Sequence, residues 1–149
     1  MAYIYSPEHS QAVMVILGYT FQNLVLLRRA LETWSLGSPH GNKPLALVGD
    51  RAIAMIFSLD GYLKNATCGN TTQLLNSRSS NKTLHSLGCR HGLERYLVLN
   101  PSQSNVSIDT MVNTVEALIG AVFIDSGFDL DAVKAAMINF GIMEAQPQE

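Results

Sequence analysis

The sequence predicts an all-α fold, and three observations support this class. Residues 110–127 (TMVNTVEALIGAVFIDSG) carry apolar side chains at helical spacing along a stretch long enough for a buried helix. Residues 45–57 (LALVGDRAIAMIF) have the same apolar character. No segment alternates apolar and polar residues over a length that would suggest a β-strand. We therefore expect one helical domain over residues 1–142, followed by a disordered tail over 143–149.

Composition narrows the class of protein. Of the 149 residues, 47% are hydrophobic and only 15% are charged, which is typical of a globular protein with apolar surface left for an oligomer interface. The longest apolar runs are too short to span a bilayer, so we expect no association with a membrane. The net charge of −2 lacks the basic excess of most nucleic-acid-binding proteins, so tight binding to a phosphate backbone is not expected.

The N-terminus and the cysteines indicate an intracellular protein. The first ten residues, MAYIYSPEHS, resemble neither a signal peptide nor a mitochondrial presequence. A leader that had already been removed would leave no trace, so a mitochondrial location stays open beside the cytoplasm and the nucleus. Two cysteines, Cys68 and Cys89, are too few for a disulfide framework or a metal quartet, and we expect both to be reduced thiols.

Capping residues and breakers set the helix boundaries. A Ser-Pro pair at 6–7 predicts an N-cap and first turn for a helix over 8–17. The segment LGYTF (17–21) then predicts a turn, and Asn23 caps a second helix that extends to Thr33. The later elements are a breaker-rich loop over 37–43, a helix with Pro44 in its first turn that ends near Leu63, a polar connection over 64–70, short helices over 71–77 and 81–90, a helical turn and an extended piece over 92–100, a polar segment over 101–107, the long apolar helix that Gly127 stops, and a last helix from Asp129 to Phe140.

Two acids mark the candidate site. Glu116 interrupts the apolar run of residues 110–127, and a carboxylate in so apolar a helix is costly unless a cation, a metal ion or hydrogen-bond donors pair with it. Asp50 interrupts the helix of residues 45–57 in the same way. Two such helices with facing acids would form an oxygen-lined site of the kind that Mg²⁺ prefers. The alternative is that each acid is satisfied separately by a salt bridge or a helix dipole.

Five motifs in chain order resemble the ribonuclease III domain family, and in particular its small standalone fungal-type members. The segment 111–127 is similar to the family's LADALEALIGAIYLDGG, and LALVGDRAI (45–53) is similar to its LEFLGDAVL signature. The resemblance covers nearly the whole chain and implies a ribonuclease III endonuclease-domain fold that assembles as a homodimer. The other three motifs are LGYTF (17–21), ALETWS (30–35) and SNKTLHSLGCRHGL (80–93).

The resemblance also implies a mechanism in which four carboxylates hold Mg²⁺ while one strand of double-stranded RNA is cut. Asp50 and Glu116 match two of these four metal ligands. The other two positions are substituted, with Ala46 where the family has Glu and Asn113 where it has Asp. Lys43 replaces a further Glu at the start of the signature and, if it lies near, would compete with the metal ion for an acid.

These substitutions leave three hypotheses for function. The first is a degenerate site in a catalytically impaired protein that binds RNA weakly or binds a protein partner, and needs no cofactor. The second is a working endoribonuclease for double-stranded RNA, in which Asp50, Glu116 and Asn113 hold Mg²⁺ or Mn²⁺ and Asp109 is a weaker further candidate. The third is a repurposed pocket with unrelated chemistry, because a fold does not fix a function.

The resemblance implies a dimer interface as well. Leu47, Ile53, Met55 and Ile56 would supply part of it, and the alternative is that all four belong to the core of one protomer. We expect no RNA-binding domain after the last helix, because the sequence ends soon after it. Double-stranded RNA is therefore expected to bind weakly if it binds.

Overall fold

The computed structural model describes residues 6–33, 39–100, 102–103 and 105–147. These residues form helices and no strand beyond a single isolated bridge, which confirms the predicted all-α class. No helix in these ranges combines the length and the hydropathy needed to cross a bilayer. The elements are α1 (Pro7–Leu17), α2 (Leu24–Leu31), α3 (Lys43–Leu63), α4 (Cys68–Arg78), α5 (Asn81–Arg90), a 3₁₀ turn (Leu93–Arg95), α6 (Ile108–Asp125) and α7 (Leu130–Phe140).

Helix α6 is the centre of the fold. It packs against α2, α3, α5 and α7, and most of its side chains between Met111 and Val122 are buried. The helix begins two residues before its predicted start, because the Ser107 hydroxyl accepts a 3.1 Å hydrogen bond from the backbone N–H of Thr110. The apolar stretch that predicted a buried helix is therefore the core of the protein.

Two other helix boundaries differ from the prediction, one for a local reason and one because of a distant segment. Helix α4 begins at Cys68, inside the segment predicted as a polar connection, because the Thr67 hydroxyl accepts a 3.1 Å hydrogen bond from the N–H of Asn70. Helix α2 ends two residues early, at Leu31, whose carbonyl accepts a 2.9 Å hydrogen bond from the N–H of Val98. A distant segment thus ends α2, and no local pattern could predict it.

Asp125 ties the end of α6 to the turn after α1. Its carboxylate accepts hydrogen bonds from the Tyr19 hydroxyl at 2.8 Å, the Gln22 N–H at 2.9 Å and the Asn23 N–H at 2.8 Å. Burial disfavours the charged carboxylate, but these three donors outweigh burial and lower the pKa of Asp125. Burial and the hydrogen bond to Asp125 raise the pKa of Tyr19 to about 12. The turn after α1 is therefore held against the core helix.

The chain after α7 remains attached to the core for several residues. Arg78 donates hydrogen bonds to the carbonyl oxygens of Gly141 at 3.2 Å and Ile142 at 2.9 Å. The next residue, Met143, is buried although it was assigned to the tail. Because residues 148–149 lie outside the described part of the chain, the disorder of the tail over 143–149 stays a prediction.

Candidate metal centre

Two glycines bring α3 and α6 into near contact where the helices cross. A Cβ added at Gly49 would overlap the carbonyl oxygen of Glu116, and one added at Gly120 would overlap the carbonyl oxygen of Leu45. A residue without a side chain is required where two backbones approach so closely. Asp50 directly follows Gly49, so the crossing places the carboxyl group of Asp50 beside that of Glu116.

The Asp50 and Glu116 carboxyl groups lie close enough to each other to interact. Burial first, and then the hydrogen bond to Asp50 and its negative charge, raise the pKa of Glu116 to about 7. Near neutral pH, the Glu116 carboxyl group is therefore divided between its protonated and ionised forms. The sequence left open whether the two acids face each other or are satisfied separately, and in the structure their carboxyl groups interact. Their role as metal ligands stays a prediction.

The two substituted positions lie one helical turn from the acids. Ala46, one turn before Asp50, is 5% exposed and offers no ligand atom. Asn113, one turn before Glu116, is partly buried and offers an amide oxygen. In the described ranges, no three His, Cys, Asp or Glu side chains cluster closely enough to hold a metal ion. The acid pair therefore provides two of the four carboxylate ligands that the family resemblance implies.

This donor set fits a weakly bound divalent ion. In proteins Mg²⁺ keeps several of its waters and is commonly held by one or two carboxylates. Asp50 and Glu116 supply two carboxylates, and Asn113, one helical turn before Glu116, is a candidate for a further neutral oxygen. A metal ion binds the ionised carboxylate, so it competes with the proton that Glu116 partly retains near neutral pH. We expect binding at this site to be weaker than at a site with four carboxylates.

Among the described residues, the cation that forms an ion pair with Asp50 is Arg51. Its Nη1 atom lies 3.3 Å from Oδ2 of Asp50. The Lys43 side chain is exposed, and among the residues that the structure describes it forms no ion pair with Asp50 or Glu116. Lys43 was the cation expected to compete for an acid if it lay near, whereas the structure pairs Asp50 with Arg51, the residue directly after it, which was not predicted.

The four residues predicted for a dimer interface fall into two groups. Leu47 and Met55 are 59% and 50% exposed, whereas Ile53 and Ile56 are 1% and 4% exposed. The two isoleucines are core residues of the protomer, because side chains so buried present no surface to a partner. The exposed pair borders an apolar groove of about 390 Å³ that the sequence analysis did not anticipate. The remaining residues that line it are Val48, Arg51, Ala52, Phe123 and Leu130.

We expect the substitution Glu116→Gln to stabilise the protein by about 1 kcal/mol at pH 8 and to change little at pH 5. The pKa of Glu116 is about 7 in the folded protein against 4.5 for an unperturbed glutamate, so folding favours the protonated form. Stability from this group is complete below pH 4.5 and is lost as the pH rises through 7. The magnitude is well below the full shift because solvent reaches the partly exposed carboxyl group.

Urea denaturation at both pH values measures this effect. Glu94→Gln, which removes an exposed carboxylate elsewhere, is the matched control and should be nearly neutral at both. A Glu116→Gln gain of equal size at pH 5 and pH 8 would contradict the raised pKa.

Comparison with known proteins adds an independent line of evidence. A family model described as the ribonuclease III domain matches residues 43–127, the segment that holds both α3 and α6. "Ribonuclease 3" of Campylobacter fetus subsp. fetus is 31% identical over 136 residues, which cover 87% of this chain and 59% of the relative. "Ribonuclease 3" of Vibrio vulnificus is 32% identical over 130 residues, which cover 83% and 56%. The chain thus spans less than two thirds of the length of these relatives.

Solved structures show the same architecture. The crystal structure of the nuclease domain of ribonuclease III from Campylobacter jejuni superposes with a TM-score of 0.76 and covers 99% of this chain and 100% of that one, at 18% identity. A second structure of that nuclease domain, described as flexible in the region involved in dimer formation, also has a TM-score of 0.76, at 19% identity and 87% and 94% coverage. At this identity the likeness establishes the fold alone, and it confirms the fold that the sequence predicted.

Proposed function

The chain belongs to the ribonuclease III domain family, and we propose that it is a homodimeric member whose reduced metal site leaves it catalytically impaired. In this role it binds double-stranded RNA weakly or serves as an interaction module in RNA processing. One observation carries the proposal. The acid pair of Asp50 and Glu116 is in place at the helix crossing, while the neighbouring positions hold Ala46 and Asn113.

The missing carboxylates weaken the site in two ways. Two acids in place of four remove two formal negative charges, and Ala46 offers no oxygen at all. When bound, Mg²⁺ supplies a Lewis acid that lowers the pKa of a water and stabilises the leaving oxygen of the RNA strand. Even the loss of a residue that only supports a ligand costs about 10–100-fold in affinity or activity. Losing two ligands therefore supports impaired cleavage.

The proposed homodimer uses the exposed apolar side of α3. Leu47 and Met55 project from this side next to the apolar groove, and burying them against a second copy removes apolar area from water. The dimer seen in a relative belongs to that protein, so the oligomeric state of this chain needs its own measurement. Sedimentation equilibrium is expected to give twice the chain mass of 16.3 kDa. A single chain mass at tens of micromolar would exclude the dimer.

The alternative is an active Mg²⁺-dependent endoribonuclease. The contact between Asp50 and Glu116 favours it, because Mg²⁺ can be held by two carboxylates together with a substrate phosphate. In that case Glu116 would bind the ion in its ionised form, and Asn113 would contribute its amide oxygen. The third hypothesis, a repurposed pocket, stays a prediction, and none of the residues that the structure describes indicates a particular chemistry for it.

Incubation of the purified chain with a long double-stranded RNA, in Mg²⁺ and in Mn²⁺, separates the two functions. The proposed impairment predicts no cleavage, or cleavage so slow that Glu116→Ala leaves the rate unchanged. Rapid cleavage that Glu116→Ala abolishes would establish the active enzyme and overturn the impairment. If the chain does not cleave the RNA, an electrophoretic mobility shift assay with the same RNA measures binding. Retained binding would indicate an RNA-binding protein, and its absence would indicate an interaction module.

A further inference from the structure

Among the described residues, Arg51 is the one that both forms an ion pair with Asp50 and lines the apolar groove. We propose that Arg51 is the resident counter-charge of the Asp50–Glu116 pair and competes with divalent metal ions for Asp50. The inference rests on the proposed function, since it gives the weak metal site a second cause beside the missing carboxylates. It concerns the affinity of the site for a metal ion, and not the rate of RNA cleavage.

Contacts hold the guanidinium group at the acid pair. Nη1 of Arg51 lies 3.3 Å from Oδ2 of Asp50, and the Asp50 carboxyl group in turn contacts Glu116. The Arg51 side chain also borders the apolar groove beside Leu47 and Met55. Arginine commonly packs its methylene groups along an apolar surface while its charged end stays in water.

The positive charge of Arg51 offsets part of the negative charge that would attract a metal ion to the Asp50–Glu116 pair. The guanidinium group of Arg51 stays positive over the whole physiological range. A divalent ion entering this site has to displace Arg51 from Asp50 and then remain close to its positive charge. Both effects lower the affinity of the site for Mg²⁺ and Mn²⁺.

Solvent limits the size of the effect. The side chains of Arg51 and Asp50 are 77% and 49% exposed, so water and salt screen their attraction. The metal ion carries two charges, which makes its repulsion by Arg51 larger than the attraction within a simple surface ion pair. We expect Arg51→Gln to tighten Mn²⁺ binding by roughly three- to tenfold at low ionic strength, and by less in high salt.

The test is a titration of the full chain with Mn²⁺, in which the loss of the electron paramagnetic resonance signal of free Mn²⁺ measures binding. Arg51→Gln keeps most of the side-chain volume and removes the charge. Arg28→Gln is the matched control, because it removes the same charge from another exposed ion pair, in which Nε of Arg28 lies 2.9 Å from Oε1 of Glu32. Only Arg51→Gln is expected to bind Mn²⁺ more tightly, and Arg51→Lys should remain near the wild-type affinity.

Several results would overturn the proposal. They are an unchanged affinity in Arg51→Gln, an equal gain in Arg28→Gln, or a full gain in Arg51→Lys. An additional Glu116→Gln substitution should remove the gained affinity, and its persistence would place the ion at another site. If Mn²⁺ binding is too weak to detect in both the wild type and Arg51→Gln, Arg51 is not the residue that limits the affinity for the metal ion, and the proposal fails. Because no RNA is present, these results are independent of whether the proposed impairment of cleavage is correct.

Discussion

Restoring both missing carboxylates, with Ala46→Glu and Asn113→Asp together, is expected to raise cleavage of double-stranded RNA at least 100-fold over the wild type in Mg²⁺. Each substitution returns one negative charge and one ligand to a position one helical turn from an existing acid. The estimate is conservative, because a loss of about 10–100-fold is typical even for a group that only supports a ligand. Gel analysis of a labelled RNA duplex measures the rate of cleavage.

The two substitutions differ in structural risk. Asn113→Asp changes an amide to a carboxylate of the same shape at a partly buried position, so the fold should accept it. Ala46 is 5% exposed, and a glutamate there has to reach the acid pair through a crowded crossing. Ala46→Gln with Asn113→Asp is the matched control, because glutamine has the length of glutamate without its charge. Circular dichroism and thermal unfolding establish that each variant is folded.

The outcomes distinguish a protein whose cleavage is limited only by its metal site from one that has lost cleavage for other reasons as well. Cleavage by the double variant, with an inert wild type and an inert glutamine control, would show that the site alone limits activity. A folded double variant that binds Mn²⁺ and still leaves RNA intact would contradict that conclusion, and would favour an interaction module. Efficient cleavage by the wild type would show that Asp50 and Glu116 suffice.

Asp50 and Glu116 could be identified as candidate site residues from the sequence, because each carboxylate interrupts an otherwise apolar helix. Glu116 lies in the most apolar stretch of the chain, so its need for a partner was evident without a structure. The sequence did not show which side of α3 faces the core, because apolar residues lie on all sides of this helix. Ile53 and Ile56 face the core, and Leu47 and Met55 face away from it. The packing of α3 against α4, α6 and α7 distinguishes these two sides.

Local capping explains another difference between prediction and structure. The polar sequence of α4 gave no apolar periodicity, and none of its residues is buried, so its first turn was assigned to a connection. The hydroxyl of Thr67 caps that turn. The pairing of Asp50 with Arg51 was missed for a different reason. Neighbours in sequence on a helix do not normally face each other, so the pattern gave it little weight.

Replacing Gly49 or Gly120 with alanine is expected to destabilise the protein by more than about 4 kcal/mol, a large fraction of the roughly 5–15 kcal/mol that stabilises an ordinary domain. A methyl group at either position would overlap a backbone carbonyl oxygen of the opposite helix, on Glu116 or Leu45. A backbone cannot move aside as the end of a flexible side chain can, so α3 and α6 would have to separate. Thermal unfolding of both variants measures the loss.

Gly69→Ala is the matched control, since nothing lies within 4 Å of a Cβ added at Gly69 in α4. Alanine favours a helix over glycine by up to about 1 kcal/mol, so this variant should be unchanged or slightly more stable. A Gly49→Ala protein that unfolds at the wild-type temperature would contradict the close crossing.

The same crossing links the fold to the candidate chemistry. If Gly49→Ala folds at low temperature, the separated helices should also part the carboxyl groups of Asp50 and Glu116. The pKa of Glu116 would then fall from about 7 toward the 4.5 of an unperturbed glutamate, because its contact with Asp50 and part of its burial would be lost. Carboxyl chemical shifts followed by NMR across this pH range measure that change. A pKa that stays near 7 in such a protein would show that burial of Glu116 alone sets it, and that the approach of Asp50 does not.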